Sequence, residues 1–266
     1  GSYFEFTLPG PGNYYLQLPD LNTPGRVTYT VFFFVDELAQ YKQYEQEFAE
    51  SLNVLDHGVV SSSTEDQTSI IQTLIEQKDT VFFPRGIYRT GMLKIPSDTT
   101  IHLGEGAVLK GTDDYNGSRY IHIENGRNIR IAGLGTIDAN GNAAGNRPTK
   151  GHIIDMDNCD NVRLDGLMFR NSNSWMLHIR RSENIDFRGL HLFSGKDGID
   201  PDGSTDVMIQ DVTIQSIDDA FAVKSKFEGK SCERVTMKDC IVFSCASSLK
   251  IGTENYYGEI RDITWD

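Results

Sequence analysis

Cations are scarce in this chain: Lys and Arg number 25 against 38 Asp and Glu, a formal net charge of −13. Nucleic acid is therefore excluded as a partner, because phosphate backbones are held by clustered cations. An acidic polysaccharide held by a few local Lys and Arg residues is not excluded. Long apolar runs are also missing. Nothing reaches the roughly 18 residues of a membrane-spanning helix, so no membrane partner is expected, and Val31-Phe32-Phe33-Phe34-Val35 is short enough to read as a strand. Cys159, Cys232, Cys240 and Cys245 lack paired C-x-x-C spacing. They read as small buried apolar side chains rather than a zinc site, with a disulfide inside 232–245 left open. No secretory leader opens the sequence at Gly1-Ser2-Tyr3-Phe4, so export rests on inference from function.

Strong helical periodicity is absent over most of the chain, and a repeat of short strands takes its place. Alternating runs begin at Asn128-Ile129, Asn161-Val162, Asn184-Ile185, Asp206-Val207, Arg234-Val235 and Asp262-Ile263. The apolar markers are spaced by 33, 23, 22, 28 and 28 residues. A second strand follows in several repeats, as in Trp175–Ile179, Phe221–Val223 and Leu249–Ile251. Gly, Asn, Asp and Ser sit at the corners. One such coil cannot bury its apolar face alone, so the pattern predicts stacked coils, an all-β parallel β-helix.

The organisation changes near residue 50. Tyr3–Leu8, Tyr14–Leu18 and Val27–Phe32 alternate between Pro/Gly-containing turns, which predicts antiparallel strands in a sandwich-like appendage over 1–36. Residues 37–53 read as a polar, partly helical connector, and 54–266 as the β-helix. Thr64-Glu65-Asp66 before Ile70-Ile71-x-x-Leu74-Ile75 predicts an N-capped amphipathic helix that covers the first coil and protects its edge.

Five aspartates fall in two segments, Gly195-Lys196-Asp197-Gly198-Ile199-Asp200-Pro201-Asp202-Gly203 and Ser216-Ile217-Asp218-Asp219-Ala220-Phe221-Ala222-Val223-Lys224. Asp197, Asp219 and Ser247 each lie 12 residues after a marker, Ile185, Val207 and Val235. Kept offsets stack them in one ladder at about 4.8 Å per coil, headed by Trp175. Carboxylates that close titrate together, with at least one pKa raised. The next ladder outward holds His178, Asp200, Ala222 and Lys250, and the one after it Arg180, Asp202, Lys224 and Gly252. Each has a plainer reading beside the functional one. An isolated Asp commonly satisfies turn amides, Lys224 and Lys250 either grip substrate or pair with the aspartates, Trp175 either stacks on a sugar or packs in the core, and His178 has a structural alternative. An Asp200-x-Asp202 calcium site offers too few hard ligands, so no metal or other cofactor is expected.

Residues 54–112, with Phe82-Phe83-Pro84-Arg85-Gly86-Ile87-Tyr88 and Leu103–Gly111, resemble the opening of the right-handed β-helix of glycoside hydrolase family 28, the polygalacturonases and relatives. Residues 195–225 resemble its active-site strands, Lys196-Asp197-Gly198-Ile199-Asp200 matching Asn-Thr-Asp-Gly-x-Asp and Asp218–Ser225 matching Asp-Asp-Cys-x-Ala-x-Lys-Ser. The resemblance implies inverting hydrolysis of a pectin-like polysaccharide or oligosaccharide. In it Asp218 is the general acid, and Asp197 with Asp219 hold and deprotonate water. The offset count nominates Asp200, Asp202, Lys224, Lys250, His178, Arg180, Trp175 and Ser247 for substrate, and the hydrolytic function implies a secreted or periplasmic location.

Three departures loosen the link to galacturonate. Ser247 stands where the family has a histidine, Gly195 and Lys196 replace Asn and Thr, and the family's Arg-x-Lys pair would fall after Asp266. Asp262-Ile263-Thr264-Trp265 opens a coil, so a continuation or partner is expected to complete the stack. A polysaccharide lyase and a non-catalytic glycan-binding β-helix are the alternatives.

Overall fold

A computed structural model describes residues 5–19, 23, 27–112, 119–141 and 151–266. The chain separates into two compact units, Gly1–Ala49 and Glu50–Asp266. In the first, Gly12–Pro19 pairs antiparallel with Val27–Val35, and helix α1 follows at Leu38–Glu47. This is one ribbon among the described residues, whereas a sandwich needs two facing sheets. Residues 5–9, expected as a strand, are irregular, and the Phe6 ring meets Phe33 edge-on at 5.1 Å. Residues 1–4 and the expected turn residues Asn22, Pro24 and Gly25 lie outside the described residues.

The second unit is a right-handed parallel β-helix of three stacked sheets with nine, seven and seven strands. Ile129, Val162, Ile185, Val207, Val235 and Ile263 pair in sequence across the first sheet, so the sequence markers form one ladder. Alternation then sends Ile131, Leu164, Phe187 and Ile209 inward as well, all fully enclosed in one continuous apolar core. A middle sheet, including Met168–Arg170, His191–Ser194, Thr213–Ser216 and Ile241–Ser244, was not visible in the sequence; its strands are too short to show a period. The third sheet, including Leu177–Arg180, Ile199–Asp202, Phe221–Ser225 and Leu249–Asn255, carries the aspartates.

Helix α2, Thr68–Gln77, buries Ile71, Leu74 and Ile75 in the same core as Val54 and Val81. The expected side-chain N-cap is not formed: the N-cap residue is Gln67, without a side-chain cap bond, and Asp66 Oδ1 just before it accepts a 2.8 Å bond from Thr68 N. Leu52–Asn53, at the end of the expected connector, already pairs with Thr80–Phe83 as the first strand of the stack. All four cysteines are free, and no described helix is long and apolar enough to cross a membrane.

Candidate active site

Four successive coils turn from the middle sheet into the third sheet through a similar short bend. A serine stands three residues before the ladder position: Ser172 before Trp175, and Ser194, Ser216 and Ser244, each the last residue of its middle strand, before Asp197, Asp219 and Ser247. These hydroxyls pin the bends. Ser194 Oγ donates to Asp197 O at 2.8 Å, while Ser216 Oγ and Ser244 Oγ each donate to Asp218 O at 2.8 Å. Backbone bonds then tie coil to coil, with Met176 N on Asp197 O, Gly198 N on Asp219 O and Ala220 N on Ser247 O at 2.9, 2.9 and 2.8 Å. The serine ladder was missed in the sequence, although its fixed three-residue offset was there to find.

Trp175, Asp197, Asp219 and Ser247 consequently occupy equivalent positions, two residues before strands whose first residues pair as Leu177, Ile199, Phe221 and Leu249. His178 pairs with Asp200, Ala222 with Lys250, Arg180 with Asp202 and Asp202 with Lys224. Gly252 does not join Lys224, because the register shifts between Val223 and Ser225 and Ser225 pairs with Asn255.

The three nominated catalytic carboxyls each place an oxygen within 4.8 Å of the others. Their surroundings differ sharply. The side chains of Asp197 and Asp219 are 6% and 5% exposed, that of Asp218 43%. Lys224 Nζ lies 3.0 Å from Asp197 Oδ2 and also binds Asp200 Oδ1. Lys250 Nζ lies 2.6 Å from Asp219 Oδ2, whose Oδ1 is enclosed and accepts no hydrogen bond among the described residues. Among the described residues the Asp218 carboxylate has a single, long cation contact, to Lys196 Nζ at 3.9 Å.

The nominated substrate residues divide in two. Asp200, Asp202, Lys224 and His178 are buried and engaged with one another, so their side chains hold the site from within rather than presenting a free sugar-binding face. His178 Nε2 lies 3.2 Å from Asp202 Oδ2, whose Oδ1 accepts from Lys226 N at 2.9 Å. Glu254, absent from the sequence expectations, comes within 3.8 Å of Lys224 Nζ. Burial pushes the Asp200 carboxyl well above the usual range, with the charge of Asp197 adding to the rise and Lys224 opposing it. Burial lowers Lys224, but Asp200 and Asp197 outweigh that and leave it raised. Burial, with His152 beside it, keeps His178 neutral well below its ordinary value. Burial also raises the Asp202 carboxyl, so the raised carboxyls lie in the network behind the ladder.

Trp175, Arg180, Ser247 and Lys250 are partly accessible. Lys224 Nζ stands 3.7 Å over the Trp175 ring, and His178 meets that ring edge-on at 5.0 Å. Arg180 is committed to Asp155 through bonds of 2.9 and 2.6 Å. Two groups bring three donor atoms close enough for a cation, Asp197 with Asp218 and Asp219, and His152 with Asp155 and His178. Lysines already neutralise two carboxylates of the first, and Arg119 and Arg180 crowd Asp155 at 2.7 and 2.6 Å in the second, so both oppose a divalent ion.

Residues 76–255 match the sequence model of the glycosyl hydrolases family 28. A probable polygalacturonase of Vitis vinifera is 26% identical over 222 residues, 68% of this chain and 45% of that protein. The chain spans about half or less of the length of the curated relatives it matches. Among solved structures, an exopolygalacturonase from Thermotoga maritima aligns with a TM-score of 0.70 at 20% identity, covering 84% of this chain and 70% of that one. A family 28 exopolygalacturonase of Yersinia enterocolitica aligns at 0.58 and 15% identity over 96% of this chain and 72% of its own. At those identities the structures speak to the fold.

Proposed function

The chain belongs to glycoside hydrolase family 28, and on that premise we propose that its aspartate groove hydrolyses glycosidic bonds in a pectin-like polysaccharide, with galacturonan the leading candidate. One observation carries the reading: two enclosed carboxylates, each paired with a lysine, lie within 4.8 Å of one accessible carboxyl. The environments separate the roles. Asp218, reachable from solvent and without a close cation, is the acid that gives its proton to the glycosidic oxygen as the C1–O bond breaks. Asp197 and Asp219 orient a water whose oxygen bonds to C1 and whose proton passes to one of these carboxylates; exchange with solvent then resets all three.

Asp200, Asp202, Lys224 and His178 act as positioning groups, and Trp175, Arg180, Ser247 and Lys250 border the path of the sugar. Names of relatives support the substrate class. A polymer of that kind lies outside the cell, which supports a secreted or periplasmic location.

The close approach of the carboxyls favours a second reading. Inverting pairs usually stand about 6.5–9.5 Å apart and retaining pairs about 5–5.5 Å. A double displacement through a covalent Asp219 ester therefore has a geometric argument, whereas two carboxylates sharing one water suit direct displacement. The test is incubation with oligogalacturonides, reading reducing ends and the first-formed anomer by NMR. Inverted product that disappears in Asp218→Asn supports the proposal. Retained product selects the second reading, and undiminished release by Asp218→Asn refutes the acid.

A further inference from the structure

Asp219 is held by a cation from the coil that follows it, and so is Asp197. The first lysine, Lys224, is enclosed and shared with Asp200 and Glu254. The second, Lys250, has a side chain 34% exposed and is directed to Asp219 at 2.6 Å. Lys250 pairs with Ala222 across the third sheet, which sets its stem one coil beyond Asp219 and three residues beyond Ser247. Ser247 occupies the ladder position of the two aspartates but brings a neutral hydroxyl where the family pattern has a histidine. The nearest cation available to Asp219 therefore comes from Lys250.

We infer that Lys250 is a positioning residue for the water-activating carboxylate, supplying from the next coil the charge that Ser247 cannot, rather than a ligand for the sugar. The inference rests on the proposed hydrolytic reading. The groups around Asp219 make the role specific. Asp197 and Asp218 are anions within 4.8 Å, Lys224 is committed to Asp197 and Asp200, and Lys196 stands by Asp218 at 3.9 Å. Without Lys250, Asp219 faces two carboxylates and no cation of its own. The hydrogen bond to Asp219 raises Lys250 above the ordinary lysine range, with Asp197 and Asp218 contributing, so the ammonium persists over the whole working pH range. The bond also fixes Oδ2 and with it the orientation of the carboxylate.

The experiment pairs kinetics with a readout that needs no turnover. Lys250→Met is expected to lower kcat by about 10²-fold, leave KM within about twofold, and move the acid limb of the pH–rate profile upward by about one unit. Lys250→Arg restores the limb. A rise in KM with kcat and the acid limb unchanged would overturn the inference in favour of a sugar-carboxylate ligand. Separately, NMR titration of the Lys250 side chain in the resting protein should show a lower midpoint in Asp219→Asn than in the unaltered chain, by reciprocity of the coupling. An unchanged midpoint removes the ion pair and the inference with it. A lowered midpoint in a protein that releases no reducing ends from any glycan upholds the pair and refutes the hydrolytic reading instead.

Discussion

Lys224 and Lys250 carry the same charge and contribute unequally to stability. Lys224 is 2% exposed and neutralises Asp197 and Asp200, both buried. Removing one partner of a buried pair typically costs about 3–5 kcal/mol, because the other charge stays in low dielectric. Lys224→Met should therefore lose about that much, measured by urea unfolding, whereas Lys250→Met should lose less, because the Lys250 side chain is itself 34% exposed and its pairing with Asp219 is partly screened by solvent. The loss in Lys224→Met should grow as pH rises from acid to neutral. Asp200, its carboxyl already raised by burial, binds a proton in the folded chain that the unfolded chain has released, so stability falls across that window. At this scale the aspartates were legible, since their spacing repeats with the coil. Their partners were not. Which lysine reaches which carboxylate depends on side chains crossing between coils, 24 to 31 residues apart in sequence, and the register shift that displaces Gly252 leaves no mark in the strand pattern.

Six coils carry a left-handed residue immediately before the apolar marker, near the start of the first-sheet strand. Asn128, Asn161, Asn184, Asp206, Arg234 and Asp262 have φ of 54°, 56°, 56°, 55°, 51° and 54°. Asn and Asp tolerate this region because a short polar side chain can bond locally, and other L-residues pay about 1–2 kcal/mol. Neighbouring corners also bond, Asn161 Nδ2 donating to Asn128 Oδ1 at 2.9 Å. Asn161→Ala should cost about 1–2 kcal/mol in urea unfolding and Asn161→Gly clearly less, since glycine enters the left-handed region freely. Equal costs would place the whole effect in the lost side-chain bond. These corners explain why the strand repeat was readable: Asn or Asp precedes the marker in five of the six coils quoted, with Arg234 the exception. The amphipathic stripe of α2 was readable for the same reason, a period long enough to count. Middle strands such as Met168–Arg170 hold three residues and offer no period.

At the scale of the whole molecule, a chain of net charge −13 still buries histidines in its stack. Burial lowers His102 to about 4, with Arg130 assisting, and lowers His191 to about 4 by burial alone. Both remain neutral when folded at pH values where the unfolded chain, near 6.5, binds protons. Unfolding is thus favoured by proton uptake between about pH 4 and 6.5. The stability these groups contribute is complete above pH 6.5 and lost as pH falls toward 4. The urea midpoint should rise through that range, and His191→Gln should flatten the rise; an unchanged slope would assign it to other groups. The solenoid itself followed from the repeat, because one coil cannot hide its apolar face alone. The single ribbon of residues 12–35 did not, since alternation shows strands without showing how many sheets they build. The central claim is that Asp218 gives the proton to the leaving oxygen while Asp197 and Asp219 act on water. Its most direct test compares a galacturonan substrate with an aryl galacturonide whose leaving group needs no acid. Asp218→Asn should lose at least about 10²-fold in kcat on the polymer and keep most of its rate on the aryl substrate, while Asp219→Asn should fall on both. Equal losses of Asp218→Asn on the two substrates, or none on the polymer, would contradict the account.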